Sequence, residues 1–210
     1  ALGISNILSI ELPVNFNKPY LTKSLTEFWR NWHITLSKWF RDYLYIPLGG
    51  SQKGSTVLFL NLLLTMSLAG LWHGANLNFI IWGFLNGLFL FLEKKISPFL
   101  NLNNVFKIII NCFIIFNLWL VFRIQDLNLL IDYFRLLYLN FEFFLIKENI
   151  FVLAFTILAV LSQKYDNYLH LKNISEKIKL TYFVPIITLI IIIGLSFNSG
   201  TSDKFIYFDF

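Results

Sequence analysis

Cysteine is nearly absent: Cys112 is the only one in 210 residues. One thiol excludes an internal disulfide and any cysteine-built metal cluster. Charge is scarce too, at 14% of residues, where a soluble domain carries about 25%. No HExxH motif and no close His/Asp/Glu grouping occurs, which argues against a zinc site. No GxSxG elbow is found, and Cys112 lacks a charged neighbour that would activate it. No glycine-rich phosphate loop occurs, and Gly49-Gly50-Ser51 reads as a turn. There is no internal repeat and no nucleic-acid-binding motif. The opening Ala1-Leu2-Gly3 has neither the charged region nor the cleavage site of a signal peptide. We expect a further N-terminal part outside this sequence.

What is present is apolar: 57% of residues are hydrophobic. They gather into runs near the roughly 20 residues that a helix needs to cross a bilayer. Thr56–Leu71 and Leu77–Leu92 are separated only by Trp72-His73-Gly74-Ala75-Asn76. Val105–Phe122, a short Ile150–Leu161 and Phe183–Phe197 follow, the last with Pro185 in its first turn, where proline costs little. Residues 123–148 mix charged and apolar positions and read as amphipathic, lying along a surface. The expected fold is all-α, a polytopic transmembrane helix bundle whose apolar surface faces lipid and other helices.

The net charge of +5 fits that layout better than it fits nucleic acid. If each run crosses once, segments 17–54, 93–107 and 164–179 share one side and carry 13 of the 17 Lys and Arg residues. Arg123, Arg135, Lys147 and Lys204 fall on the other. The basic side is expected to be cytoplasmic. The Trp72–Asn76 turn then points away from the cytoplasm or sits within the membrane. The C-terminus is expected to be extracytoplasmic.

Before these runs stands a different kind of helix. Ser24 and Glu27 have capping-box spacing, so a helix is expected to start there and run over about 25–45. Trp29, Trp32, His33, Leu36, Trp39, Phe40 and Tyr43 recur at helical spacing on one face, with Arg30, Ser37, Lys38 and Arg41 elsewhere. An aromatic face opposite basic residues suits an interfacial or re-entrant helix. Pro47 and Gly49-Gly50 end it.

Of the three histidines, His170 lies in a polar loop, where solvation is its ordinary role. His73 lies beside apolar spans, where an ionisable group faces a bundle interior or a wet cavity. Burial favours its neutral form, which can accept a proton from a hydroxyl. A structural histidine bridging helices is the competing reading. Gly70 and Gly74 bracket it and allow another backbone, or a substrate, to come close. His33 belongs to the aromatic face of the interfacial helix, and an amphipathic interface residue is its plainer explanation.

Two stretches carry a resemblance. Residues 28–50, Phe-Trp-Arg-Asn-Trp-His-Ile-Thr-Leu-Ser-Lys-Trp-Phe-Arg-Asp-Tyr-Leu-Tyr-Ile-Pro-Leu-Gly-Gly, resemble a signature of the membrane-bound O-acyltransferases. The likeness is to the bacterial branch that includes alginate O-acetyltransferases and the D-alanyl transfer protein of teichoic acid. Gly70-Leu71-Trp72-His73-Gly74, with Trp82-Gly83 following, is similar to the family's other signature. The chain-end Phe205–Phe210 resembles the branch's usual ending. Asn31 and Asn86 depart from it, standing where a basic residue and a histidine are usual.

The resemblance implies that residues 1–210 form the C-terminal portion of one acyltransferase domain. It implies His73 as the catalytic histidine and His33 as a second active-site histidine. Arg30, Trp32, Gly70, Trp72, Gly74 and Asn76 become substrate-tunnel or positioning candidates. It implies no bound cofactor or metal, with acyl-CoA or an acyl-carrier thioester as co-substrate. The implied partners are membrane lipid and a polysaccharide acceptor or a secreted acetyltransferase. The implied location is the bacterial plasma membrane, crossed several times. Readings from other classes are a transporter lined by His73, or a non-catalytic membrane scaffold.

Overall fold

The computed structural model describes residues 2, 5, 8–139, 150–165, 182, 185, 188, 189 and 192. His170, Lys172, Lys204, the chain-end motif and most of the expected span over 183–197 lie outside the described residues. The chain divides into two units, residues 1–165 and 166–210. In the second, Tyr182, Pro185, Thr188, Leu189 and Ile192 are helical.

The first unit is helical wherever it is regular, with no strand among the described residues. Its helices are α1 (Leu25–Asn31), α2 (Ile34–Phe40), α3 (Ser55–Trp72), α4 (Leu77–Ile96), α5 (Asn104–Arg123), α6 (Leu127–Tyr138) and α7 (Ile150–Ser162). Helix α1 starts at the expected capping box. Ser24 Oγ accepts from the Glu27 amide at 3.0 Å, and the Glu27 carboxylate accepts from the Lys23 amide at 2.8 Å. Glu93, at the far end of α4, adds acceptors for the Leu25 amide and the Thr26 hydroxyl. A carboxylate suits a helix N-terminus because the first amides there have no partner inside the helix.

The single helix expected over 25–45 is not continuous. It breaks at Trp32-His33, resumes as α2 and widens into a π turn over Arg41–Tyr45. The cause is a long-range contact that no local pattern displays. Segment 15–17 crosses the break, with the Asn17 amide donating to Asn31 O and the Ile34 amide to Asn15 O, both at 2.9 Å. Beyond the break the aromatic face is unevenly covered: Phe40 is buried, while Trp39 and Tyr43 are 53% and 70% exposed.

Helices α3 and α4 form a hairpin joined by residues 73–76, and its closeness depends on glycine. A Cβ on Gly70 would sit 2.0 Å from Phe79 O, and one on Gly83 would sit 2.2 Å from Met66 O. Small residues permit such approach where the hydrophobic effect drives little association between helices. Helix α5 packs on α4, and the shared core includes Leu25, Phe28, Trp82, Leu90, Ile115, Leu118 and Val121.

Buried asparagines tie the long helices to irregular backbone. Asn61 donates to Tyr45 O and Gly50 O, Asn111 to Thr22 O, and Asn78 to Ile124 O. Each gives a carbonyl outside the helix a side-chain donor. Helices α3 and α5 are long and apolar enough to cross a membrane. Each shows an exposed apolar stripe: Leu60, Leu64, Leu68 and Leu71 on α3, and Val105, Ile109, Phe113 and Phe116 on α5. Helix α6 follows its cap residue Asp126, whose carboxylate accepts from the Asn128 and Leu129 amides. Leu130 is the buried residue of α6.

Candidate active site

His73 is the residue on which α3 ends. Its amide donates to Gly70 O at 3.0 Å, closing the last turn, and the Gly74 amide donates to Leu71 O at 3.1 Å. Gly74 then takes φ +151°, a conformation that side-chain-bearing residues rarely adopt. Asn76 restarts the chain as the cap of α4, its Oδ1 accepting from the Asn78 amide at 3.1 Å. The turn so built holds the His73 ring at the top of the hairpin.

Three helices wall that ring. Trp82 of α4 meets it edge-on at 5.5 Å, Phe122 of α5 at 5.0 Å and Trp72 of α3 at 4.8 Å between ring centroids. Phe79 adds a tilted contact at 6.1 Å. These rings surround the imidazole with apolar groups on three sides.

His33 reaches the same place from the other side. It occupies the helix break with φ +42° and ψ +54°, in the left-handed region. A non-glycine residue held there costs about 1–3 kcal/mol, and surrounding structure must impose it. Its ring packs on Phe16 at 6.0 Å and edge-on to Trp72 at 6.3 Å. Trp72 thus touches both imidazoles. His33 Nδ1 and Trp82 Nε1 are buried and have no hydrogen-bond partner among the described residues. Buried polar atoms without partners are uncommon, and a bound hydroxyl, carbonyl or water would satisfy them.

The remaining candidates divide. Trp32 stacks on Phe28 at 5.6 Å and lies 5.0 Å from Trp119, which stacks on Trp82. It is part of an aromatic wall leading to His73. Gly70 and Gly74 shape the hairpin and its turn, and Asn76 caps α4. Arg30 is exposed. Sequence reasoning passed over Phe16, Phe79 and Phe122, which complete the two histidine shells, and over Asn15, which holds the break. Nothing local marks them, because each approaches from a separate segment.

A cavity of about 460 Å³ lies elsewhere, lined by Lys23, Glu93, Ile96, Leu100, Lys107 and Ile110 among others, and neither histidine borders it. No group of three or more His, Cys, Asp and Glu suited to a metal occurs among the described residues.

Residues 3–131 match the profile of MBOAT, the membrane-bound O-acyltransferase family. The chain belongs to this family. The match includes both histidines and every element around them and ends within α6, so the chain-end stretch Phe205–Phe210 carries no part of it. The probable alginate O-acetylase AlgI of Pseudomonas fluorescens is 43% identical over 132 residues, 61% of this chain and 26% of that protein. The peptidoglycan O-acetyltransferase of Helicobacter pylori is 46% identical over 97 residues, 46% of this chain and 18% of that protein. The teichoic acid D-alanyltransferase of Bacillus subtilis is 37% identical over 90 residues, 40% of this chain and 23% of that protein. The chain thus spans about a quarter of the length of the curated relatives it matches.

Proposed function

We propose that the intact protein is a membrane O-acyltransferase. It moves an acyl group, acetyl in the first instance, from a cytoplasmic thioester to hydroxyls of a cell-surface polysaccharide. The donor is acyl-CoA or an acyl-carrier thioester, and the polysaccharide is reached directly or through a secreted acetyltransferase. The observation that carries this reading is the meeting of His33 and His73 on Trp72, within the part of the chain that matches the family. The similarity to alginate and peptidoglycan O-acetylating proteins supports acetyl and polysaccharide.

The chemistry asked of the site is modest, because a thioester is already activated. Neutral His73 takes the proton of the acceptor hydroxyl as its oxygen attacks the thioester carbonyl. The tetrahedral intermediate carries the negative charge on the former carbonyl oxygen, to which a His33 ring N–H donates a hydrogen bond. Collapse re-forms the carbonyl, breaks the carbon–sulfur bond and expels the thiolate, which recovers the proton from His73. A positioned general base contributes about 10²–10⁴-fold, and alignment of the reactants contributes more.

The membrane reading assigns the 13-to-4 division of basic residues to the two sides of a plasma membrane crossed several times. Residues 25–45 lie at the interface or re-enter the membrane, and the histidine site lies between the two faces. D-alanyl transfer to teichoic acid is the second reading, favoured by the likeness to the Bacillus subtilis protein.

The test is acylated polysaccharide in cells whose only copy of the full-length gene carries a substitution, with membrane protein level followed in parallel. His73→Ala and His73→Gln should both abolish acylation at normal protein level, because glutamine forms hydrogen bonds but takes no proton in this pH range. Near-normal acylation with His73→Gln ends the general-base assignment. A transporter or scaffold would leave acyl transfer on isolated membranes intact in both variants.

A further inference from the structure

We propose that Asn15 is a positioning residue for His33, supplying from a distant segment the helix cap that a histidine cannot supply for itself. This rests on the reading of His33 as an active-site residue.

The first amides of any helix lack partners inside it, and Ser, Thr, Asp or Asn at the cap position normally accepts from them. Helix α2 has His33 at that position, and its side chain makes no capping bond. Asn15 takes over the task. Its backbone oxygen accepts from the Ile34 amide at 2.9 Å. Its Oδ1 accepts from the Thr35 amide at 2.9 Å and from the Thr35 hydroxyl at 2.7 Å. On the other side of the break, the Asn17 amide donates to Asn31 O at 2.9 Å, satisfying the last carbonyl of α1. Between these two anchors Phe16 packs on both Trp32 and His33, at 4.9 and 6.0 Å.

The consequence is a division of labour. A capping side chain must fold back onto its own helix and cannot also point at a substrate. With the cap supplied from 20 residues upstream of Thr35, the imidazole is released to lie against Trp72. The same bonds hold His33 in its left-handed conformation, which a free chain would leave. Asn15 touches no reacting atom in this scheme. It acts through the orientation of His33.

The experiment uses the full-length protein in membranes, with acetyl transfer from acetyl-CoA as the readout and activity expressed per folded protein. Asn15→Ala should cost roughly tenfold to a hundredfold, the scale of loss when a group at the reaction centre is misplaced. Asn15→Asp should restore activity to within about threefold, because aspartate caps as well as asparagine does. Asn15→Leu removes the acceptor at similar volume, and serves if the alanine variant accumulates poorly. Adding Asn15→Ala to His33→Ala should cost nothing further, since a residue acting only through His33 has nothing left to orient. Losses that multiply in the double variant, or no rescue by aspartate, overturn the proposal. So does full activity in Asn15→Leu while His33→Ala is impaired. Full activity in His33→Ala overturns instead the reading of His33 itself.

Discussion

The carbonyl oxygen of Phe79 stands 2.0 Å from where a β-carbon on Gly70 would lie. The obstacle is backbone and cannot rotate away, so any side chain at Gly70 must push α3 and α4 apart. The hairpin also sets the His73 turn. Gly70→Ala should therefore lower stability by at least the ~1–3 kcal/mol typical of overpacking. Gly70→Leu should prevent accumulation in the membrane. Thermal unfolding in detergent and membrane yield check this, and wild-type values for Gly70→Leu would show that the close approach is incidental.

Trp72 offers a contrast, because it is 51% exposed yet touches both imidazoles. Removing a half-exposed ring should change stability by only about 1 kcal/mol or less. Its loss should nevertheless cut acyl transfer about tenfold or more, by loosening the placement of two groups at once. Trp72→Phe keeps an aromatic ring and should fall between Trp72→Ala and wild type. Equal losses of activity and of folded protein in Trp72→Ala would identify a packing residue instead.

The long helices were legible in the sequence to within a few residues, because an apolar run that ends at glycine, asparagine or charge leaves little choice. Gly70 was legible for the same reason: a small residue in an apolar helix has few other uses. The break at Trp32-His33 was not. The aromatic spacing from Trp29 to Tyr43 continues in phase across it, and the bonds that cause it come from Asn15 and Asn17, far upstream. Phe122, which packs on His73, comes from a helix nearly 50 residues away. A histidine can be picked out by its rarity among apolar residues, but the shell that tunes it is assembled only by tertiary structure.

The charge division makes a prediction about topology. Single cysteines placed near Lys53, Lys94 and Lys172 in a Cys112→Ser background should react with a membrane-impermeant reagent only after the cytoplasmic face is opened. One placed near Lys204 should react in intact cells. Cys112 has its thiol 3.1 Å from Tyr20 O, so serine can keep a hydrogen bond there. Finding Lys94 and Lys204 on the same face would sink the layout.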